Sequence, residues 1–235
     1  KSNTARTYLG FLWWILDPIL YMLIFYLLVQ VILKRGGEGY AVFLFVALIP
    51  LKWTTSSLVD GTKAILSQQR IIQQVYVPKI VFILSSLLVN TLKFAIGSVV
   101  LFLFILFSGV PFSITFLSYG LIALVQLILL LGAMIIFAHL GVYVRDVRNA
   151  MQYVARMLFF LSPVLFAMED VPDKVAPFLY LNPMTSLIVS YRNILLGETW
   201  PLWSHLLILL LIGVVILYLA LKLLFRYENE YAKVI

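Results

Sequence analysis

Few side chains in this sequence have the types or the spacing that catalysis requires. The chain of 235 residues contains no cysteine and only two histidines, His139 and His205. In the topology derived below, these histidines lie on opposite sides of a membrane, so they cannot share a metal ion. Neither the nucleotide-binding loop G-x-x-x-x-G-K-S/T nor the metal motif H-E-x-x-H occurs. We therefore predict no catalytic residue, no metal site and no cofactor bound by this chain.

The acidic residues form one local cluster, which consists of Glu169, Asp170 and Asp173. An enzyme that acts on lipid-linked sugars would need an acidic or histidine cluster at one membrane face. The spacing of these three acids is also typical of helix caps. An integral membrane enzyme is therefore an alternative, while the rest of the sequence favours another class.

The composition indicates a membrane protein. Hydrophobic residues make up 63% of the chain and charged residues 11%, with a mean hydropathy of +1.07. Soluble domains have about 45–50% apolar and about 25% charged residues. The net charge of +7 suggests nucleic acid as a partner. However, the basic residues lie in short loops between apolar runs, as they do at a cytoplasmic membrane face. We therefore expect membrane lipids, and no nucleic acid, as partners.

A helix that spans a membrane needs about 20 mostly apolar residues. Six runs come close to this length or exceed it, which predicts an all-α polytopic fold and a single transmembrane domain over residues 1–235. Pro50 is expected to kink the second span. The predicted spans cover residues 9–33, 40–59, 80–107, 116–142, 151–168 and 202–225.

The distribution of lysine and arginine predicts the orientation. Six spans put both termini on the same side of the membrane, and that side carries more positive charge. The positive-inside rule therefore places both termini in the cytoplasm. The opposite side would have four basic residues, Lys34, Arg35, Lys174 and Arg192. The terminal side would have ten, namely Lys1, Arg6, Lys63, Arg70, Lys79, Arg145, Arg148, Lys222, Arg226 and Lys233.

The 61–79 segment is the longest polar interruption on the basic side. It contains Lys63, Arg70 and Lys79, four glutamines and no acid. Its apolar residues fall roughly on one side at helical spacing, which is typical of a short amphipathic helix on the inner membrane surface. The alternative is a basic loop that only fixes the topology.

The region between the last two spans has a different character. Residues 178–196 are apolar enough in parts to suggest a seventh span. However, Asn182, Pro183 and Arg192 interrupt the run, and a seventh span would move the basic tail outside. We predict two short helices broken at Asn182–Pro183 that dip back toward the outer leaflet. Such backbone is tolerated only against protein or water.

Besides Lys222 near the end of the last span, four charged residues lie within the predicted spans, and Asp60 directly follows the second span. A charge in the middle of a bilayer costs about 2.5–3.5 kcal/mol on insertion scales, so each one should face protein or water. Internal ion pairs, for example between Asp17 and a lysine, are one interpretation. A polar path that handles anions is the other, because the lysines near mid-span outnumber the acids. The charged residues are Asp17, Lys52, Asp60, Lys93 and Arg156.

Aromatic residues are frequent in the first span. Tyr21 and Phe25 are four residues apart and share a helix face, and Trp14 lies about two turns before Tyr21. Aromatic rings can stack on sugars, so this face is a candidate for lining a path. The alternative for Trp13 and Trp14 is an interfacial belt.

Five phrases together resemble a known family, the membrane subunits of ABC exporters that move lipid-linked surface polysaccharides. Those are the O-antigen, capsule and teichoic-acid permeases. The order and spacing of the phrases match across nearly the whole chain. They are YLGFLWWILDPILYMLIF at 8–25, QQVYVPKIVFIL at 73–84, YVRDVRNAMQYV at 143–154, SPVLF at 162–166 and LNPMTSLIVSYRNILL at 181–196.

The resemblance implies a six-helix permease that works as a homodimer in the bacterial cytoplasmic membrane. Each copy would pair with a separate ATPase subunit, which binds ATP and Mg²⁺. The 61–79 segment would contain the coupling helix that docks on the ATPase, and the loop RDVRN would make a smaller contact. The implied ATPase-coupling residues are Lys63, Gln69, Arg70, Ile71, Ile72, Gln73, Gln74, Tyr76, Arg145 and Asp146.

The resemblance also implies a channel between the two subunits and outer gate helices within residues 171–196. The candidate channel-lining residues are Trp14, Tyr21, Phe25, Lys52, Trp53 and Lys93. The candidate outer gate residues are Pro172, Phe178, Tyr180, Asn182 and Pro183.

The family exports polymers linked to polyprenyl diphosphate, such as teichoic acid, O-antigen or capsular polysaccharide. An ABC exporter of a small drug or antibiotic, which shares the architecture, is one alternative. A binding or scaffold protein without transport is an alternative from another class. Family members usually begin with an amphipathic interface helix, whereas only about residues 1–8 precede the first span here. We expect that helix to be either missing from this sequence or shifted.

Overall fold

The computed structural model describes residues 13–32, 39–111, 113–197 and 199–234. Within these ranges the chain is helical and contains no strand. Short 3₁₀ turns and one π-helical stretch, Leu27–Ile32, accompany the α-helices. The α-helices are α1 Trp13–Tyr26, α2 Tyr40–Gly61, α3 Gln69–Gln74, α4 Ile80–Phe107, α5 Tyr119–Tyr143, α6 Asp146–Leu161, α7 Ala176–Leu179, α8 Pro183–Leu195 and α9 Trp203–Val234.

Four helical stretches in the described part are long and apolar enough to cross a membrane. They are Tyr40–Gly61, Ile80–Phe107, Ile114–Tyr143 and Trp203–Glu228. Two of the predicted spans have shorter helices. The described part of the first span is α1 with the π-helical stretch, and the fifth span corresponds to α6, which has 16 residues. The count of six spans is therefore still a prediction.

The helix at the fifth predicted span has bounds that differ from those of the span. We expected residues 151–168, whereas α6 begins at Asp146 and ends at Leu161. The early end has a local cause, because Ser162 precedes Pro163 and is extended, with φ −103° and ψ 150°. Proline disfavours the helical conformation in the residue before it. The chain then continues through turns as far as the 3₁₀ turn Met168–Asp170.

The last helix is longer than predicted. The sequence predicted an end near residue 225 and a charged tail after it, whereas α9 continues to Val234. The extra turns contain Glu, Lys and Ala, which are strong helix formers. They also contain Tyr231, which is fully buried. Packing of this ring against the rest of the chain therefore stabilises turns that would otherwise be exposed.

Close helix packing holds the bundle together. Helix α2 is the most buried of the candidate spans and contacts α1, α4, α5, α6 and α8. Helices α5 and α9 pack along each other. Glycines allow this approach, since a Cβ at Gly132 would lie 3.0 Å from the Leu217 backbone nitrogen, and one at Gly213 would lie 3.3 Å from the Leu129 side chain. Small residues at helix contacts are typical of membrane bundles.

The helix ends define two ends of the bundle. The basic end contains the 61–79 segment, the junction of α5 with α6, and the end of α9. The opposite end contains the start of α2, the end of α4 and residues 162–202. Contacts support both groupings, because the Glu228 carboxylate bonds to Lys79 at the basic end and the Tyr40 hydroxyl bonds to the Leu165 carbonyl at the opposite end.

The 61–79 segment is less regular than the single amphipathic helix that we predicted. A turn follows Gly61, a 3₁₀ turn covers Leu66–Gln68, and only the six residues of α3 are α-helical. Residues 75–78 are not helical. Val75 has an extended backbone, with φ −139° and ψ 141°. Two β-branched residues and Pro78 in this stretch disfavour further helix.

We predict that Gly141→Ala destabilises the protein. A Cβ at this position of α5 would collide with the Thr62 carbonyl oxygen, which is backbone and cannot rotate away. Such overpacking costs about 1–3 kcal/mol. Thermal unfolding of the purified protein in detergent should therefore show a lower Tm.

Gly120→Ala is the matched control, because it lies in the same helix and a Cβ there would have no neighbour within 4 Å. It should keep or raise the Tm, since alanine is a better helix former than glycine by about 1 kcal/mol. Equal Tm values for the two variants would contradict the close approach of α5 to Thr62.

Candidate functional site

The predicted ATPase-coupling residues lie at the basic end, and most of them are exposed. Ile71 and Tyr76 are 45% and 70% exposed. Gln69 is half-buried, and Ile72 is buried at 5% exposure. The exposed members are Lys63, Arg70, Ile71, Gln73, Gln74, Tyr76, Arg145 and Asp146.

Helix α3 therefore has one anchored side and one free side. The buried Ile72 side chain belongs to the hydrophobic core, and α3 contacts α9. Arg70 and Ile71 precede it and are exposed, and Gln73 and Gln74 follow it and are exposed. A mixed surface of aliphatic, amide and guanidinium groups can bind another protein, but it contains no constellation for bond-making chemistry.

The mid-span lysines are both half-buried. The Lys93 ammonium lies 3.4 Å from the Asn90 Oδ1 atom, and the Asn90 amide donates to the Asp60 carboxylate at 3.1 Å. This chain of contacts joins α4 to the last turn of α2. Lys52 also has partners within the protein. The two lysines therefore have partners inside the subunit. The Asp60 carboxylate likewise has a hydrogen-bond donor inside the subunit, the Asn90 amide.

The structure describes the side chain of only one of the candidate channel-lining aromatic residues, Trp53. Trp53 is only 3% exposed and stacks on Phe94 with a centroid distance of 4.1 Å. Its ring therefore faces other helices of its own chain and does not reach the surface of the single subunit. The side chains of Trp14, Tyr21 and Phe25 lie outside the described residues, and so does that of Asp17.

A buried polar network joins α2, α5 and α8. The Gln126 amide nitrogen donates to the Pro50 carbonyl at 2.9 Å and to the Thr54 hydroxyl at 2.8 Å. The Tyr191 hydroxyl donates to the Gln126 carbonyl oxygen at 3.1 Å. Thr54 in turn donates to the Met184 sulfur at 3.2 Å. Both amide hydrogens and the oxygen of Gln126 therefore have partners, although the side chain is 99% buried.

Arg192 organises the opposite end. Its guanidinium donates to the carbonyls of residues 163, 164 and 166, and to that of Phe43 at 3.4 Å. It also lies over the Phe43 ring, 3.4 Å from the centroid. Carbonyls in a non-helical turn have no hydrogen-bond partners of the kind that a helix provides. One planar cation can therefore donate to several of them at once. Arg192 therefore fixes the turn after α6 against both α8 and α2.

The predicted outer gate residues surround this turn. Asn182 caps α8, because its side chain accepts from the Met184 amide at 3.0 Å. Its amide nitrogen also donates to the Ser162 hydroxyl at 2.9 Å. Tyr180 is half-buried and packs edge-on against His205 at 4.8 Å. Burial and the nearby Glu169 raise the pKa of the Tyr180 hydroxyl, which therefore stays neutral. Pro172, Phe178 and Pro183 are exposed.

The sequence-based reasoning missed several of the residues that organise these sites. Gln126 could have been found, because a lone amide in an apolar span needs an internal partner just as a lysine does. Arg192 was noted only as an interruption of an apolar run. Glu228 gave no signal, since one acid in a charged tail looks like ordinary solvated surface.

These features define a multi-pass helical membrane protein with no constellation for bond-making chemistry among the described residues. Its polar contacts lie inside the bundle and at its two ends. The known proteins that the chain is similar to are consistent with this class.

The family profile described as ABC-2 family transporter protein matches residues 33–222. The chain belongs to this family, whose members are membrane subunits of transporters. Relatives include the O-antigen export system permease protein RfbA of Klebsiella pneumoniae, 26% identical over 100% of this chain and 91% of that protein. The protein of that name from Myxococcus xanthus is 28% identical over 99% and 90%. The polysialic acid transport protein KpsM of Escherichia coli is 26% identical over 82% and 76%.

We predict that Arg192→Met lowers stability by about 3 kcal/mol or more, because hydrogen bonds from a charged group contribute about 1.5–3 kcal/mol each. Methionine preserves much of the chain volume and removes the donors. Thermal unfolding should show the loss, and limited proteolysis should cut residues 162–182 faster.

Arg192→Lys should not restore the parent stability, since one ammonium cannot reach carbonyls of two separate segments. Lys174→Met is the control for loss of a cation at the same end, because Lys174 is exposed. A stable Arg192→Met protein with unchanged proteolysis would contradict the role of Arg192.

Proposed function

We propose that this chain is the permease subunit of an ATP-driven exporter for a polysaccharide of the bacterial cell surface. One observation favours this most strongly: relatives named for O-antigen export align with nearly the full length of the chain. The absence of a nucleotide-binding loop in the sequence fits a permease that depends on a separate ATPase subunit. ATP and Mg²⁺ would bind to that subunit.

The proposed assembly is a homodimer of this chain with two ATPase subunits, in the cytoplasmic membrane. Six spans per chain would place both termini in the cytoplasm, with α1 and α6 completing the set. The basic end then faces the cytoplasm, in agreement with the excess of lysine and arginine there. The 61–79 segment docks on the ATPase through its exposed side, and the loop at Arg145 and Asp146 makes the second contact.

The proposed substrate is a glycan attached to polyprenyl diphosphate, such as O-antigen, capsular polysaccharide or teichoic acid. Its charges and hydroxyl groups would lose hydration in hydrocarbon, so a polar path must replace water. Channel-lining aromatic residues of α1 and the half-buried Lys52 and Lys93 would supply that path between the two subunits. Residues 171–196 would close it at the outer side.

The mechanism is conformational. ATP binding would bring the two ATPase subunits together, and the 61–79 segment would convert this movement into a rigid-body shift of the spans. No covalent step occurs on this chain.

Co-purification tests the partner. A tagged permease from native membranes should bring down a soluble ATPase in about equal amount. Arg70→Glu should weaken this association, because it reverses a charge on the exposed side of α3 in a segment that has no acid. If the docking partner presents an acid to Arg70, the reversal brings two like charges together, which costs several kcal/mol.

Lys174→Glu makes the same charge reversal at the opposite end, and it should leave the association unchanged. If no ATPase co-purifies with the parent protein, the exporter assignment is wrong and the membrane-enzyme alternative gains support. If Arg70→Glu and Lys174→Glu behave alike, the docking surface has been placed wrongly.

An export assay tests the mid-span lysines. Lys93→Ala and Lys52→Ala should each lower export about tenfold to a hundredfold, because one charge-assisted hydrogen bond to phosphate contributes about 1.5–3 kcal/mol. Lys93→Arg should keep most of the activity, since it retains the charge. Lys222→Ala removes an exposed cation and is the control. Unchanged export by both alanine variants would contradict a phosphate path at these residues.

A further inference from the structure

The cytoplasmic contacts proposed above are joined by a third element, the end of α9. At the C-terminal boundary of the 61–79 segment, the Glu228 carboxylate accepts the backbone N–H of Lys79 at 3.0 Å. Lys79 is the N-cap residue of α4. The first N–H groups of a helix have no partners within the helix, and a carboxylate interacts favourably with the helix dipole there. Glu228 therefore fixes the end of the segment and the start of α4 to α9.

The same stretch of α9 is joined to the end of α5. The Tyr231 hydroxyl lies 2.8 Å from the His139 Nδ1 atom, and Tyr231 is fully buried. The His139 ring also packs on Tyr227 and Tyr143, with centroid distances of 5.2 and 4.9 Å. Burial, together with nearby Tyr143 and Glu228, raises the pKa of the Tyr231 hydroxyl, which therefore keeps its proton and can donate. Helix α5 ends at Tyr143, two residues before Arg145, where the second proposed contact with the ATPase begins.

A third contact joins the 61–79 segment directly to α5, so that the segment, α5 and α9 form a closed ring of contacts. At the start of the segment, the Thr62 carbonyl lies against Gly141 of α5, so closely that no side chain fits between them. The segment is thus fixed to α5 at its start and to α9 at its end, and α9 is fixed to α5. Three contacts in a ring restrain relative movement more than any one of them, since two would have to break before any one part could separate from the others.

From this ring we infer that the Tyr227–Tyr231 turn of α9 is a positioning element. It holds the 61–79 segment and residues 145–149, which the structure shows as the N-cap and first turn of α6 and not as the predicted loop, in a fixed relation so that both move as one body. This inference rests on the proposed function, because it assigns the two contacts to one partner. A shallow cleft of about 200 Å³ lies between residues 72–76 and Glu228. A partner side chain that entered it would touch the segment and α9 together.

Distance measurements between spin labels test the inference. The sequence contains no cysteine, so the pair Gln73→Cys and Asn149→Cys can be labelled in an otherwise native chain. Both positions are exposed. In the full-length permease in detergent, with labelled chains diluted into an excess of unlabelled chains so that each dimer carries one labelled copy, we expect a single narrow distance peak between the segment and the start of α6. Glu228→Ala should lose that single peak in favour of a broad distribution, and Tyr231→Phe should do so as well.

Glu230→Ala is the matched control, because Glu230 is exposed in the same turn and its contact with the Tyr143 hydroxyl is long, at 3.5 Å. It should keep the narrow peak. Glu228→Gln retains an acceptor for the Lys79 N–H and should restore much of it. Circular dichroism checks that the variants are folded, and a narrow peak in folded Glu228→Ala would overturn the inference.

A second measurement separates this inference from the proposed function, because the distance measurement needs neither ATPase nor substrate. In the complete transporter, Glu228→Ala should hydrolyse ATP while exporting less polymer per ATP, whereas Glu230→Ala should keep the parent ratio. An unchanged ratio in Glu228→Ala would overturn the positioning role, even if the peak had broadened. Failure to find any ATPase partner would instead contradict the proposed function.

Discussion

The requirement that polar groups inside an apolar bundle find partners within the protein governs most of this structure. The exceptions among the described side chains are single buried atoms of Trp53, Ser57, Thr185 and Arg192. Water is absent from a hydrocarbon core, so an unpaired amide or hydroxyl there costs several kcal/mol. Gln126 meets the requirement with three hydrogen bonds to two other helices, and Asn90 meets it by joining Lys93 to Asp60. The contacts of Gln126, and that of Asn90 with Asp60, also fix the relative positions of helices. The polar residues therefore position the helices that the apolar residues only bring together.

The two ends of the bundle meet the same requirement in different ways. At the opposite end, the backbone between α6 and α8 leaves the helix, and Arg192 gathers the freed carbonyls around one cation. At the basic end, the groups to be satisfied belong to a helix start, and a carboxylate from another helix meets them. The carbonyls at the opposite end need a donor with several hydrogens, whereas the N–H group at the basic end needs a single acceptor. The residue types at the two ends follow from the backbone groups that each end leaves unpaired.

Apolar length predicted the helices that depend on hydropathy alone. The predicted span at 80–107 has the bounds of α4, and the one at 40–59 differs from α2 by two residues at its end. The prediction from sequence failed where a long-range contact determines the end of a helix. The turn after α6 depends on Arg192, about 30 residues further along, and the last turns of α9 depend on burial of Tyr231 against α5. No local pattern contains such partners, which is why Glu228 and His139 had no predicted role.

The two interpretations of the mid-span lysines, internal pairing and a path for anions, can both be true of one residue. A lysine with no partner would carry the full cost of a charge in the bilayer, about 2.5–3.5 kcal/mol on insertion scales. An internal partner, such as Asn90 for Lys93, lowers that cost while the path is empty. A passing phosphate could then exchange with the amide, which is a weaker acceptor than an anion. A site on a transport path must bind firmly enough to admit the substrate and weakly enough to release it. Competition from the neutral amide would lower the affinity of Lys93 for phosphate toward that range.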